Sequence, residues 1–454
     1  MEGGSVELAA RIAPGHSLYV APSLRFVGWT YPPVYYWLAA AVAQLAGVGL
    51  LALRLVSLAG SLISIAALAW MVTRDGADRI AGLIAAGLFA ATLAISGAWF
   101  DTGRVDSLFV ALTLVALAWG RAARSGRDGV VLGVLSFLAF FTKQTALVAL
   151  VPVLGLLLIT RRRVALPALA VLVALGLGPT LLLDATSRGW YRYYVFSELA
   201  GQPWAPQVWV QFWTRDVISQ EWPLALLVLA GAVAAIRRRP RSARLRSAVA
   251  YHAAAAAGLI ATAWVSRLHT GGYANVLMPA YAATALLAGL AGAELLGTRR
   301  RMAHACVAGT LLLALALLAY PLGAQIPTAS DRAAGTELLD RLRALPGPVL
   351  VLRHPWYATL VGKGSFAQAE GITDVLRSAG PRGADALRTS LQGALDADHV
   401  RAVVLDGGFD AHVLGPQLGR EFRLASRSIT RSRLYPLTDV RTAPTLLYLR
   451  DRPG

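Results

Sequence analysis

Residues 106–127 read DSLFVALTLVALAWGRAARSGR, an apolar run that begins at an acid and ends among arginines. The apolar part is close to the minimum of about 17 residues that a helix needs to cross the hydrocarbon core of a bilayer. The two ends differ in charge, and the same contrast recurs along residues 1–323. The pattern predicts a chain that crosses a membrane several times.

Every second gap between the apolar runs is rich in arginine. These gaps are Arg74–Arg79, Arg121–Arg127, Arg161–Arg163, Arg237–Arg246 and Arg299–Arg301. The alternate gaps carry acids, aromatics, a lysine and a histidine, at Phe100–Asp106, Lys143, Asp184–Trp222 and Arg267–Asn275. Because cytoplasmic loops carry an excess of lysine and arginine, the alternate gaps are predicted to face away from the cytoplasm.

Composition supports a polytopic membrane protein of the all-α class. Hydrophobic residues make up 56% of the chain and charged residues 15%, with a mean hydropathy of +0.55. The net charge of +18 lies in short loops between apolar runs, which favours the membrane over nucleic acid as a partner. The single cysteine, Cys306, excludes an intramolecular disulfide and a thiol-based zinc site. About ten spans are predicted, at 52–72, 80–99, 106–120, 129–143, 144–160, 164–184, 222–236, 248–266, 273–296 and 302–323.

Residues 31–47, YPPVYYWLAAAVAQLAG, are apolar enough to be mistaken for a further span. The run opens with two prolines and contains four aromatic residues, which suit the membrane interface better than the hydrocarbon. We predict an amphipathic helix on the outer surface, so that residues 1–51 are extracytoplasmic. Because residues 1–30 hold no apolar core that could serve as a signal peptide, we expect a first transmembrane helix to precede this sequence.

The composition changes from about Ser330 onward. Short apolar runs at 349–352, 402–405 and 445–449 alternate with helix-like stretches at 371–378 and 384–395. This is the pattern of a small α/β domain. We predict two domains, a transmembrane domain over 1–323 and an extracytoplasmic α/β domain over 324–454.

Four groups of polar residues on the predicted outer side are candidates for chemistry. The first two are Glu2 with Glu7 near the start of the chain, and Asp101, Arg104 and Asp106 at the entry to a span. Glutamates near a terminus are often solvated, and a carboxylate at a helix start is often a cap. For Asp106, capping and function remain open.

The other two groups lie in short loops. Lys143 and Gln144 occupy a tight turn between spans, where a lysine is either a membrane anchor or a point charge for a phosphate. His269 and Asn275 flank Gly271-Gly272, which permits close backbone approach; an ordinary loop turn is the alternative. An aromatic loop offers either a sugar-stacking surface or an interfacial belt, through Trp190, Tyr191, Tyr193, Tyr194, Trp204, Trp209 and Trp213.

Together these groups suit displacement of a phosphate leaving group from a sugar, which needs a carboxylate base and cations that bind the phosphate. At these residues the chain resembles the GT-C fold membrane glycosyltransferases. That group contains protein O-mannosyltransferases, lipid A aminoarabinose transferases and lipopolysaccharide-core transferases of the RgtA/B/C/D-like type. The resemblance covers about residues 1–323. It rests on the acidic first loop, Tyr31-Pro-Pro-Val-Tyr-Tyr-Trp37, Gly103-Arg-Val-Asp-Ser-Leu108, Thr142-Lys-Gln-Thr145 and the stretch from Gly271 to Tyr281.

The resemblance implies transfer of a sugar from a polyprenyl-phosphate carrier to a glycan, lipid or protein acceptor on the outer face of the plasma membrane, with inversion at the anomeric carbon. It places Glu2 at the acidic position of the first loop, as the base or a metal contact, and Asp106 at that of the second outer loop. Asp101, Arg104, Lys143, Gln144, His269, Asn275 and Tyr31 are then the expected substrate-binding residues. Glu2 lacks the Asp-Glu pair typical of the family, and a divalent metal ion is left open.

Two other classes of function compete with this interpretation. A transporter or flippase for a lipid-linked substrate would tend to show internal repeats and helices broken near mid-membrane, and neither is clear here. A non-enzymatic assembly factor would not need Asp106, Lys143 and His269 on one side of the membrane. The sequence therefore favours the glycosyltransferase.

Overall fold

A computed structural model describes residues 2–76, 78–238, 243–297, 301–378, 380–397, 400–437 and 441–451. Parts of three arginine-rich gaps, 77, 239–242 and 298–300, fall outside these residues. The helices up to the aromatic loop are α1 Glu2–Ile12, α2 Val34–Ala46, α3 Leu50–Gly76, α4 Arg79–Ala91, α5 Val105–Ala122, α6 Gly126–Thr142, α7 Ala146–Thr160, α8 Arg162–Thr186 and α9 Trp190–Arg192, followed by a π-helical turn at Tyr193–Glu198.

The helices of the second half begin with α10 Val208–Gln211, a π-helical turn at Phe212–Ile218, α11 Ser219–Arg238 and α12 Ala243–Leu268. They continue with a 3₁₀ turn at Ala274–Leu277, α13 Met278–Leu296, α14 Arg301–Leu318 and a 3₁₀ turn at Leu322–Gln325. The remaining elements are α15 Ala329–Ala344, β1 Val349–Val351, α16 Pro355–Leu360, α17 Ala369–Arg377, α18 Pro381–Ala397, β2 Ala402–Leu405, α19 Gly408–Leu414, α20 Pro416–Glu421, β3 Phe422–Ser426 and β4 Leu446–Arg450.

The predicted helical membrane architecture is confirmed, and each predicted span overlaps a helix. Among the described residues, seven helical segments are long and apolar enough to span a membrane: Leu50–Gly76, Val105–Ala122, Arg162–Thr186, Val208–Arg237, Arg246–Leu268, Ala274–Leu296 and Arg301–Leu318. The apolar helices α4 and α7 are shorter than 18 residues. The span predicted over 80–99 is wrong in its second half, since α4 ends at Ala91 and a series of turns follows.

Within residues 31–47, Val34–Ala46 fold as the 13-residue helix α2. At about 1.5 Å per residue this helix is about 20 Å long, well short of the roughly 30 Å of a hydrocarbon core. One face, with Tyr35, Tyr36 and Ala39, is buried, whereas Trp37 and Leu38 are exposed. A short helix with one buried face matches the amphipathic element predicted from the sequence.

The contacts divide the chain into two compact units. The first comprises Met1–Arg54, Thr180–Pro203 and Pro321–Gly454, and the second comprises Leu55–Pro179 and Trp204–Tyr320. In the second unit, small residues let helices approach closely, as expected between membrane helices. A Cβ added at Gly258 of α12 would lie 2.1 Å from the carbonyl oxygen of Ala149 in α7. The sequence-based boundary after residue 323 stays a prediction.

The first unit contains the small sheet. The strand order is β1-β2-β4-β3, with β1 and β2 parallel and the other neighbours antiparallel. Its core joins both parallel strands to α15 through Leu338, Leu342, Val349, Val351, Ala402 and Val404. The three strands predicted from apolar runs are present, so the predicted α/β pattern is confirmed. Strand β3 was not predicted because three of its five side chains are exposed.

Candidate active site

The segment that leads into α5 is held by hydroxyl groups from α3 and α5. Ser61 Oγ donates to the Phe100 carbonyl at 2.6 Å, and Ser57 Oγ donates to the Arg104 carbonyl at 3.2 Å. Ser107 Oγ also donates to the Phe100 carbonyl, at 2.8 Å. These bonds satisfy backbone groups that would otherwise be buried without partners. They fix the backbone on which Arg104 and Asp106 sit.

Asp106 and Lys143 form a buried ion pair at the start of α5. Lys143 Nζ donates to Asp106 Oδ1 at 2.7 Å, and the side chains are 1% and 6% exposed. Lys143 directly follows α6, where its N–H caps that helix by donating to the Ala139 carbonyl. Its ammonium also lies 5.5 Å from the centre of the Phe109 ring. Two residues that the sequence placed in separate candidate groups are therefore in contact.

Arg104 and Asn275 complete the surroundings of this carboxylate. Both interact with Asp106, Arg104 through its charge and Asn275 through its side-chain amide. The Arg104 guanidinium lies 5.7 Å from the centre of the Trp99 ring. Asp106, Lys143 and Arg104 together carry one negative and two positive charges. The cluster therefore has a surplus positive charge in a buried place, where electrostatic interactions are stronger than in water.

The neighbours of Asp106 satisfy only part of the hydrogen-bonding capacity of its carboxylate. Among the described residues, its Oδ2 is buried and makes no hydrogen bond, and the same holds for Oδ1 of Asn275. A buried polar atom without a partner is costly and calls for an explanation, such as a ligand or water at that position. The structure does not support the interpretation that the Asp106 carboxylate caps the start of α5. Arg104 is the cap residue of α5, no side-chain cap bond is present, and the Asp106 side chain turns to Lys143.

The other candidate residues of the second unit are Asp101, Gln144 and His269. Each is close in sequence to a residue of the Asp106 cluster but has different surroundings. Asp101 is exposed in the loop before α5, and Gln144 lies in the turn after Lys143. His269 packs against Trp204, with ring centres 5.4 Å apart. Its loop is held by Arg267, which donates to Asp216 at 2.8 Å and to the Gly272 carbonyl at 2.6 Å. This loop continues into the 3₁₀ turn that carries Asn275.

Glu2 and Tyr31 belong to the first unit. Arg54 binds Glu2 through two hydrogen bonds, from Nε to Oε1 at 2.8 Å and from Nη2 to Oε2 at 2.6 Å. The Tyr31 carbonyl accepts a hydrogen bond from Tyr19 Oη at 2.9 Å, and the Tyr31 ring lies beside Trp29. Sequence reasoning missed Arg54, although a charged residue inside an apolar run is a signal for a buried or functional partner.

Some aromatic side chains of the aromatic loop are buried and others are exposed. Tyr191, Tyr193 and Tyr194 are buried in the first unit. In the second unit Trp204, Trp209 and Trp213 are 53%, 45% and 41% exposed. These tryptophans cluster with Trp264 at ring distances of 4.8–6.1 Å. Only the tryptophans therefore offer surface to a ligand or a lipid interface.

Sequence reasoning also missed a second buried cluster in the second unit. Arg121 binds Asp75 through two hydrogen bonds, at 2.7 and 3.0 Å, and His252 Nε2 lies 2.7 Å from the same carboxylate. These residues come from α3, α5 and α12. Nothing in the local sequence pairs them, because the contact depends on how the three helices pack.

The described residues contain no group of three or more His, Cys, Asp or Glu side chains that could hold a metal ion. The carboxylates of Glu2 and Asp106 are each bound to a cation of the chain. A metal ion would have to compete with these ion pairs.

The comparisons with known proteins agree with the architecture. Residues 30–182 match the family model described as dolichyl-phosphate-mannose-protein mannosyltransferase. A search of curated proteins gave no match. Among solved structures, ArnT from Cupriavidus metallidurans bound to undecaprenyl phosphate matches with a TM-score of 0.61 and 16% identity, over 98% of this chain and 93% of that chain.

Two structures from Archaeoglobus fulgidus are similar over a smaller share of their length. The oligosaccharyltransferase AglB, in complex with an inhibitory peptide and a dolichol-phosphate, matches with a TM-score of 0.51 and 12% identity, over 89% of this chain and 65% of that chain. The oligosaccharyltransferase in complex with Zn and sulfate matches with the same score and identity, over 89% and 62%. The chain is thus a membrane protein with the GT-C fold seen in ArnT, and its residues 30–182 are similar to the dolichyl-phosphate-mannose-protein mannosyltransferases.

Proposed function

We propose that this protein is an integral-membrane glycosyltransferase that moves a sugar from a polyprenyl-phosphate carrier to an acceptor on the extracytoplasmic face. The observation that carries the proposal is the buried Asp106–Lys143 pair, with Arg104 beside it and one carboxylate oxygen left without a hydrogen bond among the described residues. The matched mannosyltransferase family and the ArnT-like fold support the same conclusion.

The surplus positive charge of this cluster suits a phosphate. Lys143 is a point charge and Arg104 can bind two oxygens at once, and both forms of phosphate recognition are common in proteins. When the sugar leaves the carrier, negative charge grows on the bridging oxygen of the phosphate. Cations held in place by a buried carboxylate stabilise that charge without reorganising.

Glu2 and Asp106 are the two carboxylates proposed for the chemical step. In an inverting transfer, an acceptor hydroxyl attacks the anomeric carbon, its proton passes to a carboxylate base, and the bond to the phosphate oxygen breaks. Asn275, Gln144, His269, Asp101 and Tyr31 are proposed to bind the sugar or the acceptor. Since the carboxylates are paired with cations of the chain, we assign no step to a metal ion.

The orientation is part of the proposal. The arginine-rich gaps are assigned to the cytoplasm, and residues 1–51 and 324–454 to the outside. A lipid-phosphate donor fits this placement, because the carrier lies in the membrane and the acceptor outside it. The sugar is a hexose or a pentose, and the acceptor a glycan, a lipid or a protein.

The test is radiolabel transfer by the purified full-length protein in detergent, with a panel of polyprenyl-phosphate sugars and a delipidated membrane extract as acceptor. We expect a labelled product with at least one donor and release of polyprenyl phosphate. Detergent removes the two compartments that transport requires. A protein that forms no product in detergent but moves the labelled lipid across reconstituted vesicles would be a flippase, contrary to the proposal.

A further inference from the structure

We infer that the carboxyl-terminal part of the chain fixes the acidic helix α1 in place, and that Glu7 is the positioning residue through which it orients Glu2. This inference rests on the proposed role of Glu2 and extends it to a group that does not itself touch substrate. All the contacts that carry it lie within the first unit.

Glu7 is bound at both oxygens by residues about 350 positions later in the chain. Thr359 Oγ1 donates to Glu7 Oε1 at 2.6 Å, and Ser365 Oγ donates to Glu7 Oε2 at 2.6 Å. Hydrogen bonds to an ionised acceptor are about twice as strong as those between neutral groups. Because the side chain is only partly exposed, water does not replace these partners without cost. Glu7 is therefore an attachment point of α1.

The backbone of α1 approaches the same segment closely. A Cβ added at Gly3 would lie 2.8 Å from Trp356 Cβ, and one added at Gly4 would lie 2.1 Å from Gln368 Oε1. The two glycines are therefore required for this approach rather than for a turn. The loop after α1 is attached as well, since Ala367 N donates to the Leu24 carbonyl at 2.8 Å.

Glu2 lies on a different side of the helix from Glu7. Five residues correspond to a rotation of about 140° around a helix of 3.6 residues per turn, so the two carboxylates serve different partners. Glu2 binds Arg54 at the start of α3, whereas Glu7 binds the segment that carries Thr359 and Ser365. Burial, with the charges of Asp406 and Glu2, raises the pKa of Tyr357 to about 12, which places Glu2 within electrostatic reach of α16.

Two attachments on different sides of α1 fix its rotation and its position along its axis. The ion pair with Arg54 holds one side of α1 and the bonds of Glu7 hold another side, so the orientation of Glu2 depends on both. Misplacing a reacting group by about 1 Å can cost about a hundredfold in rate.

The test compares variants of the full-length protein by hydrogen–deuterium exchange and by transfer kinetics. Glu7→Ala removes both hydrogen bonds, whereas Glu7→Gln keeps one acceptor oxygen; the double variant Thr359→Val/Ser365→Ala removes the donors instead. Asp340→Asn is the matched control, because Asp340 forms an exposed ion pair with Arg343 in the same unit. Exchange of strand β1 reports whether each variant is folded.

We expect exchange over residues 2–12 to rise several-fold in Glu7→Ala and in the double variant, less in Glu7→Gln and not at all in Asp340→Asn. The turnover number should fall about tenfold or more in Glu7→Ala, with little change in KM for the donor. In a Glu2→Gln background, Glu7→Ala should cause no further loss, because it acts only through Glu2.

Unchanged exchange over residues 2–12 in Glu7→Ala would overturn the inference. So would a loss of turnover that is equally large with and without Glu2. Full activity of Glu2→Gln itself is a different outcome: it would refute the proposed role of Glu2 in the chemical step. In that case a rise in exchange would still show that Glu7 attaches α1.

Discussion

Among the described residues of the second unit, two buried carboxylates are paired with cations, and they are paired differently. Asp75 uses both oxygens, since Arg121 binds Oδ1 and Oδ2 and His252 adds a bond to Oδ2. Asp106 uses Oδ1 for Lys143, while its Oδ2 has no hydrogen bond within the described ranges. The two sites are similar in burial, so burial of a charge does not by itself distinguish a structural cluster from a functional one.

The difference indicates what each cluster is for. A buried ion pair is stabilising only when its remaining hydrogen-bonding capacity is satisfied. Both oxygens of Asp75 meet that condition, although Nδ1 of His252 is buried without a hydrogen bond among the described residues. The Asp106 cluster keeps an unsatisfied carboxylate oxygen, which can accept a hydrogen bond from a hydroxyl group, and a surplus positive charge, which suits an anionic ligand. We therefore assign the Asp75 cluster to folding and the Asp106 cluster to substrate binding.

The largest expected effect is on catalysis by Asp106→Asn. The substitution keeps the shape of the side chain and removes its charge. Turnover should fall about 10²- to 10⁴-fold, with a normal yield of folded protein. Steady-state transfer, normalised to purified protein, measures this. Near-normal turnover would remove the distinction between the two clusters.

The converse substitution, Asp75→Asn, should act on stability. Breaking a buried pair leaves the charge of Arg121 uncompensated and costs about 3–5 kcal/mol. Denaturant unfolding in detergent should show this loss, while turnover per folded molecule stays near that of the wild type. If instead the protein unfolds normally and turnover collapses, Asp75 belongs to the functional machinery.

A smaller effect is expected from Asn275→Ala. The amide is neutral but interacts with the Asp106 carboxylate, and a hydrogen bond to a charged group contributes about 1.5–3 kcal/mol. The ratio kcat/KM should therefore fall about tenfold or more. Thr262→Val is a suitable control, since Thr262 is buried in the same unit and its hydroxyl makes a long bond of 3.4 Å to the Thr145 carbonyl. Equal effects of the two substitutions would exclude a specific role for Asn275.

Glu198, in the first unit, is a buried carboxyl group with little positive charge near it. Its Oε2 is buried without a hydrogen-bond partner in the part of the chain that the structure describes. Burial, reinforced by Asp374 and opposed by Arg377, raises its pKa well above the usual value of 4.5. Because the pKa of this group is higher in the folded state than in the unfolded state, its contribution to stability is fully present at pH values below the unfolded-state pKa. This contribution is lost as the pH rises through the folded-state pKa.

Glu198→Gln should therefore raise the melting temperature at about pH 8, and the gain should shrink toward pH 4. Thermal unfolding across this pH range measures it. A gain that is independent of pH would mean that the substitution acts through packing rather than through ionisation.

Much of the architecture could be predicted from the sequence. The apolar runs located the membrane helices, and the runs at 349–352, 402–405 and 445–449 located three strands. The early end of α4 at Ala91 could not be read, because residues 92–99 remain largely apolar while the backbone turns at Gly97 and Ala98. Strand β3 was missed since its exposed side chains break the apolar signal.

The residues of the candidate site could be predicted from the sequence better than the contacts between them. Asp106 and Lys143 were both singled out, because a charged residue at the end of a span is unusual. Their contact depends on the packing of α5 against α6, which single-sequence patterns do not specify. For the same reason Arg54 was not recognised as the partner of Glu2, nor Thr359 and Ser365 as those of Glu7.

The central claim is that the Asp106 cluster binds the lipid phosphate and the Asp75 cluster does not. The most direct measurement is the affinity of the purified protein for polyprenyl phosphate, in the wild type, Lys143→Met and Arg121→Met. Losing a charge-assisted hydrogen bond costs about 1.5–3 kcal/mol, so Kd should rise about tenfold or more in Lys143→Met and stay unchanged in Arg121→Met. Unchanged affinity in Lys143→Met, with folded protein, would contradict the account and leave Lys143 a partner of Asp106 only.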